Sequence, residues 1–471
     1  MSGPVPALAD RARRCADCLR AAEKVLVVSH IDADGLTSAA VAATALERAG
    51  IPFEVRFEDQ LDDAAVADVA ATGYETVLFT DFGSGQLDAI VDHERAGAFT
   101  PVVADHHRPA DADTEFHLNP LLEGIDGASE LSGAGAAYVL ARALEGDTDN
   151  RDLAALAVVG AVGDMQASGG ELVGANADVA AEGVAAGALE TGQDLAMYGT
   201  QTRPLHKLLE YAGDVRIPGV TGSERGAIEF LESCGVDLRV DGDWRRWADL
   251  DRTEKKSIVS ALLQRAIERG VPASKVERLV GTTYTLARET PGTELRDASE
   301  FSTLLNATAR YDRADVGLAV CLGDRDEALA SARDLLRQHR RNLSQGLEWV
   351  KSEGVTHENH LQWFHAGDEI RETIVGIVAG MAVGTEGVDS GTPIVAFAEK
   401  ADEDGAVKVS ARGTPGLTRA GLDLSAVMSD AAAAVGGEGG GHDVAAGATV
   451  PAGREREFVA EADRIVGEQL G

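Results

Sequence analysis

The sequence is poor in cysteine and aromatic residues, and it contains no long apolar run. Of its 471 residues, 4 are Cys and 4% are aromatic. Cys15 and Cys18 form a C-x-x-C motif, but no second Cys/His pair lies nearby to complete a structural zinc site. No stretch reaches the roughly 18 apolar residues of a membrane helix, and the first residues lack the apolar core of a secretion signal. We therefore expect a cytoplasmic protein with no structural zinc and no membrane partner.

Lysine is also scarce, whereas carboxylates are abundant. The chain has 8 Lys among 43 basic residues, against 78 Asp and Glu, and its net charge is -35. At about 1 M salt the Debye length is roughly 3 Å, so such an acidic surface repels itself little. The composition therefore predicts a halophilic protein. Taken alone, the charge argues against a nucleic-acid substrate, because phosphate would need local Arg clusters, backbone N–H groups or metal ions.

The order of apolar runs and helical patterns predicts an α/β fold. Short runs such as Val25–Val28 alternate with helices over residues 1–170, which is typical of a doubly wound, mostly parallel sheet. Residues 171–295 are mainly helical and form an inserted middle region. Connecting helices are expected over 296–355, and strand patterns return in a smaller C-terminal α/β domain over 356–471.

Acidic residues and histidines follow the predicted strands of the first domain. In an open α/β sheet, ligands bind outside the carboxyl ends of the strands. Four separate segments should therefore bring their polar side chains to one edge of the sheet. These segments are His30-x-Asp32-x-Asp34-Gly35, Asp81, Asp105-His106-His107 and, after a helix, Asp164.

The chemistry of these side chains predicts a metal site. In an extended segment, His30, Asp32 and Asp34 would point the same way, and Gly35 would allow a sharp turn into the next helix. Carboxylates with imidazoles suit Mn²⁺ or Mg²⁺. Because five carboxylates in one place would repel each other strongly, we predict two divalent cations, with Mn²⁺ preferred and Mg²⁺ as the alternative.

These four motifs resemble those of the DHH phosphoesterases. Near the other end of the chain, Gly439–His442 resembles the GGGH signature of the DHH-associated domain. Residues 295–324 and 372–380 resemble archaeal RecJ-like proteins. The similarity extends over about 20–170 and 290–450, and it leaves the middle region unexplained.

The resemblance implies a role for each residue. One metal would be bound by His30, Asp32 and Asp81, and Asp81 would bridge to the second. Asp105 would orient a histidine ligand, and His107 would position the scissile phosphate or transfer a proton. The glycine run would form a nest of N–H groups for a phosphate. The second metal would be bound by Asp34, Asp81, His106 and Asp164, and the substrate by Arg412, Gly440, Gly441 and His442.

The resemblance implies an exonuclease that hydrolyses single-stranded DNA or RNA in replication or repair, in association with the GINS replication complex. Three alternatives stay open: an oligonucleotide or cyclic-dinucleotide phosphodiesterase, a non-catalytic replisome scaffold, and an inorganic pyrophosphatase. The filled metal motifs argue against the scaffold, and the GGGH motif argues against the pyrophosphatase. The middle region would either bind GINS or form a helical lid.

Overall fold

The computed structural model describes residues 3–167, 169–213, 215–400 and 405–471. The chain divides into two compact units, Met1–Arg333 and Asp334–Gly471. Among the described residues, no helix combines the length and apolarity needed to cross a bilayer.

The first unit is built on a parallel five-stranded sheet in the order β2-β1-β3-β4-β5. The strands β1 to β5 are Val25–His30, Phe53–Glu58, Thr76–Thr80, Thr100–Ala104 and His117–Leu118. Helices α1 to α6 are Ala9–Ala21, Ala33–Arg48, Asp63–Ala71, Leu87–Arg95, Gly133–Ala143 and Ala154–Gly163.

Helices cover both faces of this sheet. Val25 and Val27 of β1 pack in one core with α1, α2 and α5, whereas Leu26 and Val28 pack in a second core with α3 and α4. The alternation follows from the period of two in a strand. The predicted doubly wound sheet is confirmed. In such a sheet the carboxyl ends of β1 and β3, where the strand order reverses, form a crevice for ligands.

The middle of the chain is mainly helical, as predicted, and has its own core. The antiparallel strands β6 and β9 close it, with Leu195 opposite Val280. Leu208, Phe230 and Trp247 belong to its apolar cluster. The elements are α7 (Gly174–Ala185), β6 (Leu189–Leu195), α8 (Leu205–Glu210), α9 (Glu224–Ser233), β7 (Arg239–Val240), β8 (Asp243–Trp244), α10 (Arg252–Glu268), α11 (Ala273–Val276) and β9 (Val280–Leu286).

Three helices follow, and then the sheet of the second unit. Helices α12 to α14 are Ala298–Ala309, Ala314–Cys321 and Glu327–Glu353. Strands β10 to β15 are Thr356–His357, Gln362–His365, Ile394–Glu399, Ala406–Arg412, Glu438–Gly441 and Ala445–Pro451, and they lie in the order β10-β11-β12-β13-β15-β14. Helices α15 to α18 are Glu372–Ala382, Pro415–Arg419, Leu424–Ala434 and Glu455–Leu470.

A buried glutamate joins α12 to the middle region. Glu300 is fully buried, and its Oε1 accepts a hydrogen bond from the backbone N–H of Gln201 at 2.7 Å. Its Oε2 accepts from the hydroxyl of Thr202. Burial raises the pKa of Glu300 from 4.5 to about 7, although the two hydrogen bonds oppose the shift. The protonated form is therefore the one that the folded state favours.

We expect Glu300→Gln to flatten the pH dependence of stability. Because the folded-state pKa lies above the unfolded value, the stabilising contribution of Glu300 is complete below pH 4.5 and is lost as the pH rises through about 7. The loss amounts to up to about 3 kcal/mol. Thermal unfolding in concentrated KCl from acid to neutral pH measures it, with the exposed Glu327→Gln as control. Parallel curves for all three proteins would contradict the assignment.

Candidate metal centre

The turn after β1 presents the first three side chains. Asp32 caps α2, because its Oδ1 accepts hydrogen bonds from the N–H groups of Asp34 and Gly35, both at 3.0 Å. The helix therefore begins at Ala33, and Asp34 lies in its first turn. The prediction of an extended His30–Asp34 segment is wrong for this reason. A Cβ on Gly35 would lie 2.1 Å from the carbonyl oxygen of His30, so the turn requires glycine.

Asp34 is held by the start of a helix far along the chain. Its carboxylate is buried and accepts hydrogen bonds from the N–H groups of Gly133, at 2.7 Å, and Ala134, at 3.0 Å. The positive end of the α5 dipole thus faces a negative charge. A Cβ on Gly133 would lie 2.2 Å from Asp81 Oδ1, so only glycine lets α5 approach this closely. No sequence motif identifies Gly133 and Ala134 as part of the site. The one feature that could have indicated them is the glycine-rich start of the helix.

Asp81 occupies the centre of the cluster under strain. It follows β3 with φ of 62°, a left-handed conformation that is uncommon for residues other than glycine. The side chain is 3% exposed, and Oδ1 has no hydrogen-bond partner. Burial, followed by the charges of Asp34 and Asp32, raises the pKa of Asp81 well above its ordinary range. A buried carboxylate oxygen without a partner is costly, and a cation would relieve that cost.

In the Asp105-His106-His107 turn, the two histidine rings have different hydrogen-bond partners. The ring of His106 is fixed by Nδ1, which donates to the carbonyl oxygen of Gly127 at 2.7 Å. Its Nε2 then carries a lone pair and lies 3.4 Å from Asp81 Oδ1. Asp105 is fully buried and accepts from His107 Nδ1 at 2.8 Å. Asp105 thus bonds the ring of His107, and it meets His106 through that residue's backbone N–H at 2.7 Å.

Three residues that the sequence analysis missed support this turn. Asn119 Nδ2 donates to the carbonyl oxygen of His107 and to Ser84 Oγ, both at 2.8 Å. Ser84 Oγ then donates to His117 Nε2 at 2.9 Å. Burial lowers the pKa of His117 to about 4, which keeps its ring neutral and able to accept. Nothing in the sequence pattern separates these three residues from other polar residues of the domain.

Asp164 completes the cluster from the end of α6. Its Oδ2 accepts from Gln166 Nε2 at 2.9 Å and lies 3.9 Å from the ring of His106. Burial, together with the charge of Asp34, raises the pKa of Asp164 to about 6. Its neighbour Met165 is 72% exposed and also has a positive φ, of 62°.

The structure brings all eight predicted residues of the first unit together. Within each of three groups, one ligand atom per residue lies within 4.8 Å of the others. The donors are carboxylates and imidazoles, which fits a divalent cation. A cavity of about 630 Å³ opens onto them. The groups are His30, Asp32 and Asp81; Asp34, His106 and Asp164; and Asp81, Asp105, His106 and His107.

The predicted substrate-binding residues lie in the second unit. Arg412 ends β13 opposite Ala445, and the N–H of His442 donates to the carbonyl oxygen of Ala445 at 2.9 Å, so both flank that residue. A Cβ on Gly376 would lie 2.5 Å from the guanidinium of Arg412, which places Arg412 against α15. The glycine run forms strand β14, including Gly440 and Gly441, and not the predicted nest. The reason is that its residues pair with β15 in an antiparallel ladder.

We expect Asp81→Asn to stabilise the metal-free protein and to remove its response to metal. The amide is isosteric and tolerates the left-handed backbone, but it ends the repulsion with the neighbouring carboxylates, which should add about 1–2 kcal/mol. Addition of Mn²⁺ should raise the unfolding temperature of the wild type only. Thermal unfolding with and without Mn²⁺ measures both effects. Equal stabilisation of the two proteins by Mn²⁺ would show that Asp81 binds no metal.

Three family domains match the chain. They are the N-terminal domain of the DHH family over residues 24–161, a DHH-CID domain over 197–280 and a DHHA1 domain over 360–468. An uncharacterized protein of Methanocaldococcus jannaschii is 30% identical over 454 residues, which cover 95% of this chain and 94% of the relative.

RecJ proteins and a CDC45 protein are among the further similar chains. The single-stranded-DNA-specific exonuclease RecJ of Escherichia coli is 32% identical over 154 residues, which cover 29% of this chain and 26% of RecJ. Thermus thermophilus RecJ in complex with Mn²⁺ aligns with a TM-score of 0.61 at 18% identity, over 99% of this chain and 56% of that one. CDC45 of Entamoeba histolytica aligns with a TM-score of 0.65 at 11% identity, over 98% of each chain.

These similar proteins differ in how much of their length this chain covers. The chain spans about a quarter of the length of E. coli RecJ and about half of the Thermus structure, so they bear on the fold and on shared domains. The M. jannaschii relative, by contrast, matches along nearly its whole length. With the three domain matches and the assembled DHH motif, this chain belongs to the RecJ-like branch of the DHH family.

Proposed function

We propose that this protein is a metal-dependent phosphodiesterase that removes nucleotides from the end of single-stranded DNA or RNA. The observation that carries the proposal is the position of Asp81. Its Oδ2 lies 3.8 Å from His30 Nδ1, whereas its Oδ1 lies 3.4 Å from His106 Nε2. One carboxylate therefore faces two sets of ligands, as a residue that bridges two divalent ions must. We assign His30 and Asp32 to one ion, and Asp34, His106 and Asp164 to the other.

The residues around Asp81 would orient the ligands of the two ions. When bound, the two ions would supply an activated water and neutralise charge on the phosphate. Asp34, held by two N–H groups of α5, keeps its carboxylate in one orientation. His106 is oriented by Gly127 so that its Nε2 faces the cluster.

His107 is suited to transfer a proton. Its side chain is 57% exposed, and the hydrogen bond to Asp105 raises its pKa above the ordinary value. Since Nδ1 is bonded to Asp105, Nε2 is the atom that can give a proton to the leaving oxygen of the substrate. Asp105 has no exposed surface and acts through His107.

In the second unit, we propose that Arg412 and His442 bind phosphates of the strand, beside the backbone of Gly440 and Gly441. A guanidinium provides charge-assisted hydrogen bonds to a phosphate. The exposed residue His442 directly follows β14, an edge strand of the sheet.

Hydrolysis of end-labelled strands tests the function. With Mn²⁺ in concentrated KCl, the wild type should shorten single-stranded DNA or RNA progressively from one end and leave a duplex intact. Asp81→Asn should lose at least about a thousandfold in rate, because it removes the shared ligand. Glu327→Gln serves as the matched control. Cleavage of dinucleotides or cyclic dinucleotides in place of strands would favour the small-substrate alternative, and inactivity on every substrate would favour a CDC45-like scaffold.

One part of the middle region, residues 197–280, differs in charge from the rest of the chain. Residues 197–280 contain 14 Lys and Arg and 13 Asp and Glu, so the remainder of the chain carries -36. Tyr211, Val240 and Ile267 are more than half exposed there. A near-neutral surface with exposed apolar groups can be approached without the repulsion that the remainder exerts. We propose that it binds a partner protein of the replication machinery, with GINS as the candidate.

Deletion of the middle region separates docking from a lid. Because Leu195 lies opposite Val280, a short Gly/Ser turn in place of residues 196–279 should join β6 and β9 as a hairpin. The change is combined with Glu300→Gln, since Glu300 loses its partners. For a docking surface, hydrolysis of single strands should persist, and GINS should no longer co-purify. Altered activity on long strands or duplexes, with GINS still bound, would identify a lid.

A further inference from the structure

The cavity at the candidate metal cluster is also lined by residues that do not belong to the cluster. They include the loop 59–62, which joins β2 to α3, and Phe82, Gln86 and Arg108. We call this part of the cavity the end chamber. It lies at the carboxyl edge of the sheet, where β2 and β3 flank β1.

The end chamber carries more negative than positive charge. Asp59 and Asp62 are exposed carboxylates that line it, and among the described lining residues Arg108 is the one Lys or Arg. Asp62 is fixed in place because its Oδ1 accepts from the N–H of Ala65 at 2.8 Å as the cap of α3. Asp59 lies close enough to His30 for its charge to help raise the pKa of that histidine.

These two carboxylates lie outside the proposed ligand sets. The ligands Asp32, Asp34, Asp81 and Asp164 carry four negative charges, which two divalent ions would offset. Asp59 and Asp62 would keep their charge when the metals are bound. Anything that enters the end chamber therefore meets one guanidinium and two carboxylates whose charge the metals would not offset.

This excess of negative charge should act differently on a strand that ends in a phosphate and on one that ends in a hydroxyl group. A terminal phosphate carries about two negative charges near neutral pH, so Asp59 and Asp62 would repel it. A sugar hydroxyl is a hydrogen-bond donor, and carboxylates accept its hydrogen bond. The cavity volume falls within the roughly 300–1,000 Å³ typical of small-ligand sites, which leaves room for a nucleoside beside the scissile phosphate.

We propose that the end chamber receives the terminal nucleoside of a strand through its free hydroxyl group, and that Asp59 and Asp62 exclude ends that carry a phosphate. The inference rests on the proposed nuclease function and adds the chemistry of the preferred substrate end. Arg108, next to His107 in the chain, is left to contact an internal phosphate and does not discriminate between ends.

The test uses one fluorescent single strand prepared with every combination of hydroxyl and phosphate at its two ends. The wild type, with Mn²⁺ in KCl, should show kcat/KM on the order of tenfold higher when the attacked end carries a hydroxyl, from two partly screened like-charge contacts. In Asp59→Asn/Asp62→Asn the preference should fall to near unity, mainly through KM for the phosphate-ended strand. Asn is as good a helix cap as Asp, so α3 should persist.

Asp63→Asn is the matched control. It removes one carboxylate from the position next to Asp62, is exposed and does not line the cavity, so it should retain the full preference. The preference of the wild type should also shrink as KCl rises, because it is electrostatic. Equal or faster hydrolysis of phosphate-ended strands by the wild type would overturn the proposal. So would an unchanged preference in the double variant.

Failure of the proposed nuclease function can be distinguished from failure of the end preference. If no strand is hydrolysed, the nuclease assignment falls, and fluorescence anisotropy with the same strands then decides whether the end chamber selects hydroxyl ends in binding. Equal affinity for both kinds of end in that measurement would overturn the inference as well.

Discussion

Repulsion among buried carboxylates is the constraint on which the site depends. Asp34 and Asp81 are almost fully buried and lie around one imidazole, that of His106. Without a cation the cluster is unfavourable, and the raised pKa values of Asp81 and Asp164 express this cost. The fold tolerates the cluster because parallel strands with a shared carboxyl edge form a rigid frame around it. Binding of a divalent cation would offset this cost.

The frame is held by backbone groups more than by side chains. Asp34 is bound by N–H groups at the start of α5, and His106 by the carbonyl oxygen of Gly127. The Oδ1 atom of Asn306, on α12, accepts a hydrogen bond from the N–H of Ala33 at 3.0 Å, within the turn between Asp32 and Asp34. Since α12 also carries Glu300, the same helix contacts both the turn and the middle region. A change in the middle region thus has a physical route, through α12, to the turn that carries Asp32 and Asp34.

The net charge of the chain and the charges at the candidate site lead to different expectations about phosphate binding. A net charge of -35 suggests that phosphate is repelled, yet the candidate site would hold its substrate through metal ions, a few guanidinium groups and backbone N–H groups. High salt weakens long-range repulsion and leaves short, partly buried contacts less affected. The distribution of charge therefore says more about function than its sum. Residues 197–280, which are near neutral, depart from this acidic average.

The sequence by itself determined the fold class and which polar residues meet at one edge of the sheet, because short apolar runs specify buried parallel strands and the residues after them must reach that edge. It did not determine how those residues are held. Asp34 was expected on an extended segment, but the cap formed by Asp32 places it on a helix, and its partner Gly133 is 99 residues away. Ser84, His117 and Asn119 likewise gain their role only from contacts across the sheet edge. Local patterns encode strands and helices, whereas hydrogen bonds between distant segments exist only once those elements have packed.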